Sequence, residues 1–277
     1  MLKKRNPQKG LFLQTLLKVE FCIMPLKVFL KLHLAEEIDT SFLTPDKVHG
    51  LFFTLMGEDL AKKFHEEYRN VKPFSLYCKE LFKRQTAKVL NFEVNLLEDS
   101  LIPKLLSGFI LDKQKTFLNI NSKQIEVKVD FKVPQRWIKP YNSLAEAGET
   151  NPKVGVKFVS PTTFRRENID FPFPLPELLF KGLVKKWLAF SQIPIEVDLR
   201  KYYNLIEVEK YNLGTKKVEF SNGGKLTTFI GEVVYNLSEI EDKEAQRWFN
   251  ILLNFSLWSG IGRKTTMGLG KIHLKTL

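Results

Sequence analysis

Alternation of polar and apolar residues predicts strands in the first half of the chain, and helical spacing predicts helices between them. Residues 27–34 alternate with a period of two, which is typical of a half-buried strand. Thr44 followed by Pro45 indicates a helix start, because threonine is a common N-cap and proline is tolerated at the first helical position. The remaining predicted elements are extended segments at 75–82, 92–96 and 117–133 and helices at 58–68 and 100–111. This order, strand-helix-strand-strand-helix-strand, is that of a ferredoxin-like unit.

The second half repeats the order less regularly. Its predicted elements are helices at 175–190 and 243–258 and strands at 154–159, 195–199, 205–211, 227–235 and 271–277. Residues 135–152, which are polar and contain Pro140 and Gly148, predict a domain boundary. We therefore predict an α+β fold of two tandem ferredoxin-like (RRM-like) βαββαβ domains, residues 24–140 and 141–277, with a glycine-rich loop near the C-terminus.

Residues 1–23 are predicted to be an extension, disordered or from a misassigned start, ahead of the folded unit. They begin with basic residues and an apolar run, but Lys18 and Glu20 interrupt that run and no cleavage site follows, which argues against an export signal. An additional strand or helix over 11–23 fits the pattern equally well. No segment reaches the roughly 18 uninterrupted apolar residues of a membrane span, so we expect a cytoplasmic protein with no membrane partner.

Composition and charge narrow the class of partner. Hydrophobic residues make up 44% of the 277, which excludes a mainly disordered chain. The cysteines, Cys22 and Cys78, are too far apart for a metal-binding CxxC pair and fit a reducing compartment. Lysine and arginine number 43 against 31 acidic residues, a formal charge of +12. This excess, together with 12% aromatic residues, favours a nucleic acid as the partner.

The strongest motif is the glycine loop, residues 260–270, with the sequence GIGRKTTMGLG. Its glycines allow positive φ and close approach of backbone amides to another chain, and its basic centre suits the phosphates of a nucleic-acid backbone. The predicted RNA-binding residues of the loop are Gly260, Gly262, Arg263, Lys264, Thr265, Thr266, Gly268 and Gly270. A helix precedes the loop and a strand follows it, which is the reverse of nucleotide-binding loops. The alternative is a turn that only packs a helix tightly on a sheet.

This loop resembles the glycine-rich signature of the RAMP superfamily of CRISPR-associated proteins, and more narrowly of its repeat-RNA endoribonucleases. Three further segments are similar to family motifs: residues 49–53, residues 64–67 followed by 72–75, and residues 160–165. The resemblance implies a tandem ferredoxin-like fold and cleavage of CRISPR repeat RNA without a metal ion or other cofactor. It also implies products with 2′,3′-cyclic phosphate and 5′-hydroxyl ends. The absence of HExxH and CxxC motifs also disfavours a metal nuclease.

The resemblance assigns proton transfer to His65 and a place beside the phosphate to Lys72. Histidine titrates near neutrality and lysine supplies positive charge, as attack by a ribose 2′-hydroxyl requires. Without the resemblance, His65 is more typical of a surface histidine beside a glutamate, whereas Lys72 is equally typical of an exposed lysine that precedes a strand. Phe53 stands where some members have a tyrosine, so the identity of the second acid or base is open. His49 or Tyr68 could substitute, although His49 is also typical of a helix-start residue packed near the edge of a sheet.

Arg165 and Arg166, which follow the first strand of the second domain, are further candidates for phosphate binding. The stripe of Lys181, Lys185 and Lys186 on one predicted helix is more typical of a solvated outer face. Other CRISPR-associated proteins are possible partners, and the protein is predicted to be a monomer or homodimer. A non-catalytic RAMP subunit that holds guide RNA is the alternative function, and a generic ribosome- or tRNA-binding module is a third.

Overall fold

The computed structural model of the chain describes residues 24–57, 62, 66, 68, 71–103, 116–120 and 123–275. The first half contains one sheet and one described helix. Its elements are β1 (Leu26–Asp39), α1 (Pro45–Met56), β2 (Phe74–Cys78), β3 (Thr86–Leu96), β4 (Thr116–Ile120) and β5 (Lys123–Lys132). The five strands are antiparallel and lie in the order β2-β3-β1-β5-β4.

The second half contains a four-stranded sheet, a short two-stranded arm and three helices. Its elements are α2 (Tyr141–Glu146), β6 (Lys153–Thr162), β7 (Phe164–Arg166), β8 (Ile169–Phe171), α3 (Pro176–Phe190), β9 (Glu207–Glu219), β10 (Lys225–Asn236), α4 (Lys243–Ser259) and β11 (Ile272–Lys275). The sheet order is β11-β6-β10-β9, and β7 pairs only with β8.

Both sheets have the strand order of a ferredoxin-like unit. In each, the first strand of the unit lies between the third and the fourth, and the second strand is outermost beside the third. In the first sheet, the hairpin partner β4 adds one more edge strand. The predicted tandem ferredoxin-like fold is confirmed.

Local sequence patterns explain the central elements. Val28, Leu30 and Leu32 of β1 are at most 1% exposed, because alternate residues of a strand face the same side and this side covers the core. Pro45 occupies the first turn of α1, as predicted. The helix then buries Val48 and Phe52 against the sheet. The second core is centred on α3 and α4, where Trp187 and Phe249 are fully buried.

The strand predicted at 195–199 is wrong. Residues 191–198 form no strand, and a 3₁₀ helix follows at Leu199–Leu205. The apolar alternation is real, because Ile193, Ile195 and Val197 pack on the second core, but none of the strands that the structure describes pairs with this segment. The carbonyl of Ile193 instead accepts a hydrogen bond from the Trp187 indole at 2.9 Å. Alternating apolar residues therefore occur both in a strand and in an extended segment whose side chains pack on a core, so the pattern alone does not distinguish the two.

The polar stretch 135–152 is not entirely loop, because it contains α2. Tyr141 of α2 is buried, and its hydroxyl donates a hydrogen bond to the carbonyl oxygen of Leu97 at 2.9 Å. The division of the chain at residue 140 stays a prediction. Residues 1–23 and most of the helices predicted at 58–68 and 100–111 lie outside the described residues. No helix that the structure describes is long and apolar enough to cross a membrane.

Polar side chains connect the two sheets at a buried junction. The Ser75 hydroxyl donates to the carbonyl of Trp258 at 2.7 Å. Nearby, the ammonium groups of Lys27 and Lys271 both contact the same carboxylate oxygen of Glu93. Lys27 is 1% exposed, and its ammonium lies 4.0 Å from the centre of the Trp137 ring. Two buried lysines thus share one carboxylate where the halves of the molecule meet.

Candidate nucleic-acid interface

A basic cleft of about 820 Å³ lies between α3, the β7–β8 arm and the glycine loop. Two glutamates, Glu167 and Glu177, are the acidic residues among the described residues that line it. The basic lining residues are Lys72, Arg165, Arg166, Lys181, Lys185, Lys186, Arg263 and Lys264. The excess of cations over anions gives the cleft a positive potential that suits a phosphate backbone.

The glycine loop has the backbone conformation that its sequence predicts. Gly260, Gly262, Gly268 and Gly270 all have positive φ. At Gly262 a Cβ atom would lie 2.4 Å from the carbonyl oxygen of Thr163, and at Gly270 it would lie 2.0 Å from that of Ile261. Both positions therefore require glycine for two reasons, conformation and space.

Several amides of the loop hydrogen-bond within the fold. Arg263 N–H donates to Thr163 O at 2.9 Å, Ile261 N–H to Gly270 O at 2.9 Å, and Gly270 N–H to the carbonyl of Pro161 at 3.1 Å. These contacts fit the packing role that the sequence left as an alternative. Loop side chains line the cleft as well, so the glycines fix the loop against β6 while Arg263 and Lys264 supply its charge.

The charged side chains of the loop have neighbours that orient them. Arg263 forms an ion pair with Asp170 of β8, which also lies 3.7 Å from the Arg165 guanidinium. The Lys264 ammonium lies 4.6 Å from the centre of the Phe220 ring. Burial, together with the Arg263 guanidinium, lowers the pKa of Lys264. Asp170 therefore links the loop to the arm that carries Arg165.

The two loop threonines have different environments. Thr265 is buried, and its hydroxyl oxygen lies 3.4 Å from the Lys186 ammonium. Thr266 presents its carbonyl oxygen to Nδ1 of His49 at 2.8 Å. One threonine hydroxyl thus has an intramolecular cation as its neighbour, and the loop is held from α1 as well as from α3.

Two further sets of predicted positions lie along the cleft. Arg165 and Arg166 are exposed on β7 and line it, as Lys72 does from the first half of the chain. Lys181 and Lys185, which the sequence pattern favours as an outer face of α3, also line it. The outward face of α3 is one wall of the cleft, and helix periodicity alone does not reveal what stands opposite an exposed face.

Of the candidate catalytic residues, the structure describes Lys72, Tyr68 and His49. Lys72 is half-buried in the cleft, and burial lowers its pKa. His65 lies outside the described residues. The Tyr68 hydroxyl donates to Glu98 Oε2 at 2.6 Å, and Phe53 packs edge-on to the His49 ring with 4.6 Å between ring centres.

Lys186 is a residue whose position the sequence analysis did not anticipate. Its ammonium donates to the carbonyl oxygens of Ser259 at 2.6 Å and Gly260 at 3.1 Å. The amine is buried while part of the side chain stays exposed, and this burial lowers its pKa to about 7. A signal was present, because Lys186 falls at a helical spacing of seven from Leu179 and so lies on the apolar stripe of α3.

Comparisons with known proteins agree with this architecture. Residues 156–272 match the family model of the CRISPR-associated endoribonuclease Cas6. A Cas6 endoribonuclease of Streptococcus thermophilus is 23% identical over 233 residues, which are 83% of this chain and 90% of that protein.

Solved structures show the same similarity. A Thermus thermophilus Cas6 superposes with a TM-score of 0.70 at 26% identity, over 92% of this chain and 100% of the other. A Cas6 product complex superposes with a TM-score of 0.74 at 26% identity, over 91% and 99% of the two chains. These findings agree with the resemblance seen in the glycine loop: the chain is similar in sequence and in fold to CRISPR-associated Cas6 endoribonucleases.

Proposed function

We propose that the protein cleaves CRISPR repeat RNA in the basic cleft, by attack of a ribose 2′-hydroxyl on the adjacent phosphorus. The observation that carries this proposal is that Lys72, Arg263 and Lys264 line one cleft although they come from opposite ends of the chain. Three cations around a phosphodiester stabilise the negative charge that develops on its non-bridging oxygens. The substrate is a polyanion, which the +12 charge of the chain also favours.

The reaction requires one proton acceptor and one proton donor. The bond from the 2′-oxygen to phosphorus forms as the bond from phosphorus to the 5′-oxygen breaks. A base takes the 2′-hydroxyl proton and an acid protonates the leaving 5′-oxygen. The products are a 2′,3′-cyclic phosphate and a 5′-hydroxyl, and no metal ion or other cofactor takes part.

His65 is the candidate for proton transfer. It precedes Lys72 by seven residues, and Lys72 lines the cleft. The position of Lys72 in the lining of the cleft, where burial lowers its pKa, supports a role for its ammonium beside the phosphate.

The second acid or base is assigned to His49 rather than Tyr68. A carbonyl oxygen only accepts hydrogen bonds, so the contact with Thr266 places a proton on Nδ1 of His49 and leaves proton transfer to Nε2. The Tyr68 hydroxyl, by contrast, already donates to Glu98. Phe53, which has no ionisable group, packs beside the His49 ring and orients it.

The wider assignments follow from the same proposal. Residues 24–140 form the domain that carries His65, and residues 141–277 form the domain with the glycine loop. The protein acts in the cytoplasm as a monomer or homodimer, with repeat RNA as its substrate and other CRISPR-associated proteins as further partners.

The experiment is cleavage of end-labelled repeat RNA by the purified protein in EDTA, with the product ends identified chemically. We expect cleavage that is insensitive to EDTA, and a loss of at least about 100-fold in His65→Ala with binding retained. His33→Ala is the matched control, because His33 lies on β1 and pairs with Asp130 away from the cleft. Binding of RNA without cleavage by the unmutated protein would contradict the proposal and favour a non-catalytic RNA-binding subunit.

A further inference from the structure

Lys186 places an amine at the point where α4 becomes the glycine loop. Its three acceptors are Ser259 O, Gly260 O and the hydroxyl of Thr265, at 2.6, 3.1 and 3.4 Å. Among the described residues, no carboxylate forms an ion pair with it. All three acceptors therefore belong to one segment, residues 259–265.

The first two acceptors are carbonyls that α4 leaves without helical partners. The last carbonyls of an α-helix lack i+4 donors and carry the negative end of the helix dipole, so a cation is stabilised there. Gly260 turns the chain out of the helix at a φ of 63°. Lys186 thus donates hydrogen bonds to these carbonyl oxygens at the C-terminal end of α4, where the loop begins.

The third acceptor lies on the far side of the basic centre of the loop. Thr265 follows Arg263 and Lys264, and Lys264 has a φ of 55°, which is uncommon for a residue with a side chain. One ammonium therefore bridges the two ends of a short segment whose middle carries both loop cations. A protonated lysine has three N–H donors, which matches the three acceptors.

We propose that Lys186 is a positioning residue for RNA cleavage, which holds the ends of segment 259–265 together and so directs Arg263 and Lys264 into the cleft. This inference rests on the proposed function, because it requires that the cleft bind RNA. Burial lowers the pKa of the Lys186 amine to about 7, so below pH 7 the amine is mainly protonated and carries three N–H donors for the three loop acceptors.

A role in direct phosphate contact makes a different prediction from a role in positioning. If Lys186 only contacts RNA, the fold-losses in affinity caused by removing Lys186 and by removing Arg263 should multiply in the double variant, as they do for independent contacts. If Lys186 positions Arg263, the side chain of Arg263 contributes little once Lys186 is gone. Lys185, the exposed neighbour on α3 that also lines the cleft, is the matched comparison.

The test is a double-mutant cycle read by affinity for uncleavable 2′-deoxy repeat RNA and by single-turnover cleavage of the normal RNA. The variants are Lys186→Met, Lys185→Met and Arg263→Ala, alone and in pairs. We expect the loss in the double variant Lys186→Met with Arg263→Ala to be smaller than the product of the two single losses by at least about fivefold, in both affinity and cleavage rate. For Lys185→Met with Arg263→Ala, the loss in the double variant should equal the product of the two single losses to within about twofold.

A second variant guards against misfolding of Lys186→Met. Thr265→Val removes the far acceptor while keeping a β-branched side chain of similar size, and it should also be non-additive with Arg263→Ala. Multiplicative effects in both cycles, in a protein that binds and cleaves repeat RNA, would overturn the positioning role and leave the proposed function intact. Absence of binding and cleavage in the unmutated protein would overturn both.

Discussion

Nδ1 of His49 lies 2.8 Å from the carbonyl oxygen of Thr266, 217 positions later in the chain. The contact joins α1, which packs on the first sheet, to the glycine loop, which precedes the last strand of the second. The loop is therefore held from two sides, by His49 of α1 and by Lys186 of α3. A loop held in this way presents its cations in a fixed direction, which is the condition for electrostatic stabilisation of a phosphate.

Replacing Lys72 should affect cleavage more than binding. Lys72→Ala removes one cation of the cleft, so we expect the single-turnover cleavage rate to fall by about 100-fold and the affinity for 2′-deoxy repeat RNA by only a few fold. Lys79→Ala, in the exposed turn after β2, should change neither quantity. Equal losses of rate and affinity in Lys72→Ala would assign Lys72 to binding alone.

The salt dependence of RNA binding should report the loop cations. Each phosphate neutralised by a lysine or arginine adds about 0.7–0.9 to the slope of log affinity against log salt concentration. We therefore expect Arg263→Ala and Lys264→Ala each to flatten the slope by that amount, measured by titration of 2′-deoxy repeat RNA. Lys225→Ala is the control, since Lys225 pairs with Glu219 on the β9–β10 hairpin, outside the cleft. Unchanged slopes in both loop variants would remove the loop from the RNA interface.

The loop glycines should be needed for stability. Gly262→Ala introduces a Cβ 2.4 Å from Thr163 O at a positive φ, and we expect a loss of about 1–3 kcal/mol in the free energy of unfolding. Gly50→Ala in α1 has open space around the new Cβ and should stabilise the protein by about 0.5–1 kcal/mol. Urea denaturation of the two variants tests this difference. A Gly262→Ala protein as stable as the unmutated one would show that the loop adapts.

The free energy of unfolding should rise with pH from about 7 to 9. Burial, together with the Lys271 ammonium, lowers the pKa of Lys27 to about 7, although Glu93 opposes this. Above pH 7 the unfolded state therefore binds a proton that the folded state has released, so stability increases with pH. Burial lowers the pKa of Lys186 in the same direction, to about 7. Burial also raises the pKa of the Cys78 thiol to about 12, which opposes the trend once the unfolded thiol ionises near pH 9.

Lys27→Met should reduce that rise by up to about 1.4 kcal/mol per pH unit, the contribution of one proton. Chemical denaturation at pH 7, 8 and 9 measures the slope. Lys31→Met, an exposed position on the same strand, should leave it unchanged. An identical slope in Lys27→Met and the unmutated protein would mean that Lys27 stays charged in the folded state.

Some features of this protein follow from local sequence alone. The alternation over residues 27–34 predicted β1, and Pro45 predicted the first turn of α1, because the periods of strands and helices act on residues close in sequence. The positive φ of Gly262 and Gly270 was also predictable, since the spacing of glycines records where a backbone must bend sharply. The alternation at 195–199 predicted burial correctly but not pairing, which requires a neighbouring strand.

What the cleft contains was decided by packing between distant segments. The sequence pattern of α3 predicts that Lys181 and Lys185 lie on a solvated face, but in the folded protein they line the same cleft as the glycine loop. The ion pair of Arg263 with Asp170 likewise joins residues that are 93 positions apart. Lys186 was visible as a lysine in the apolar stripe of α3, but its acceptors come from the end of α4. The sequence determined which local shapes and charges were available, and the tertiary structure determined which of them meet, because those contacts depend on how two separately patterned sheets and their helices pack together.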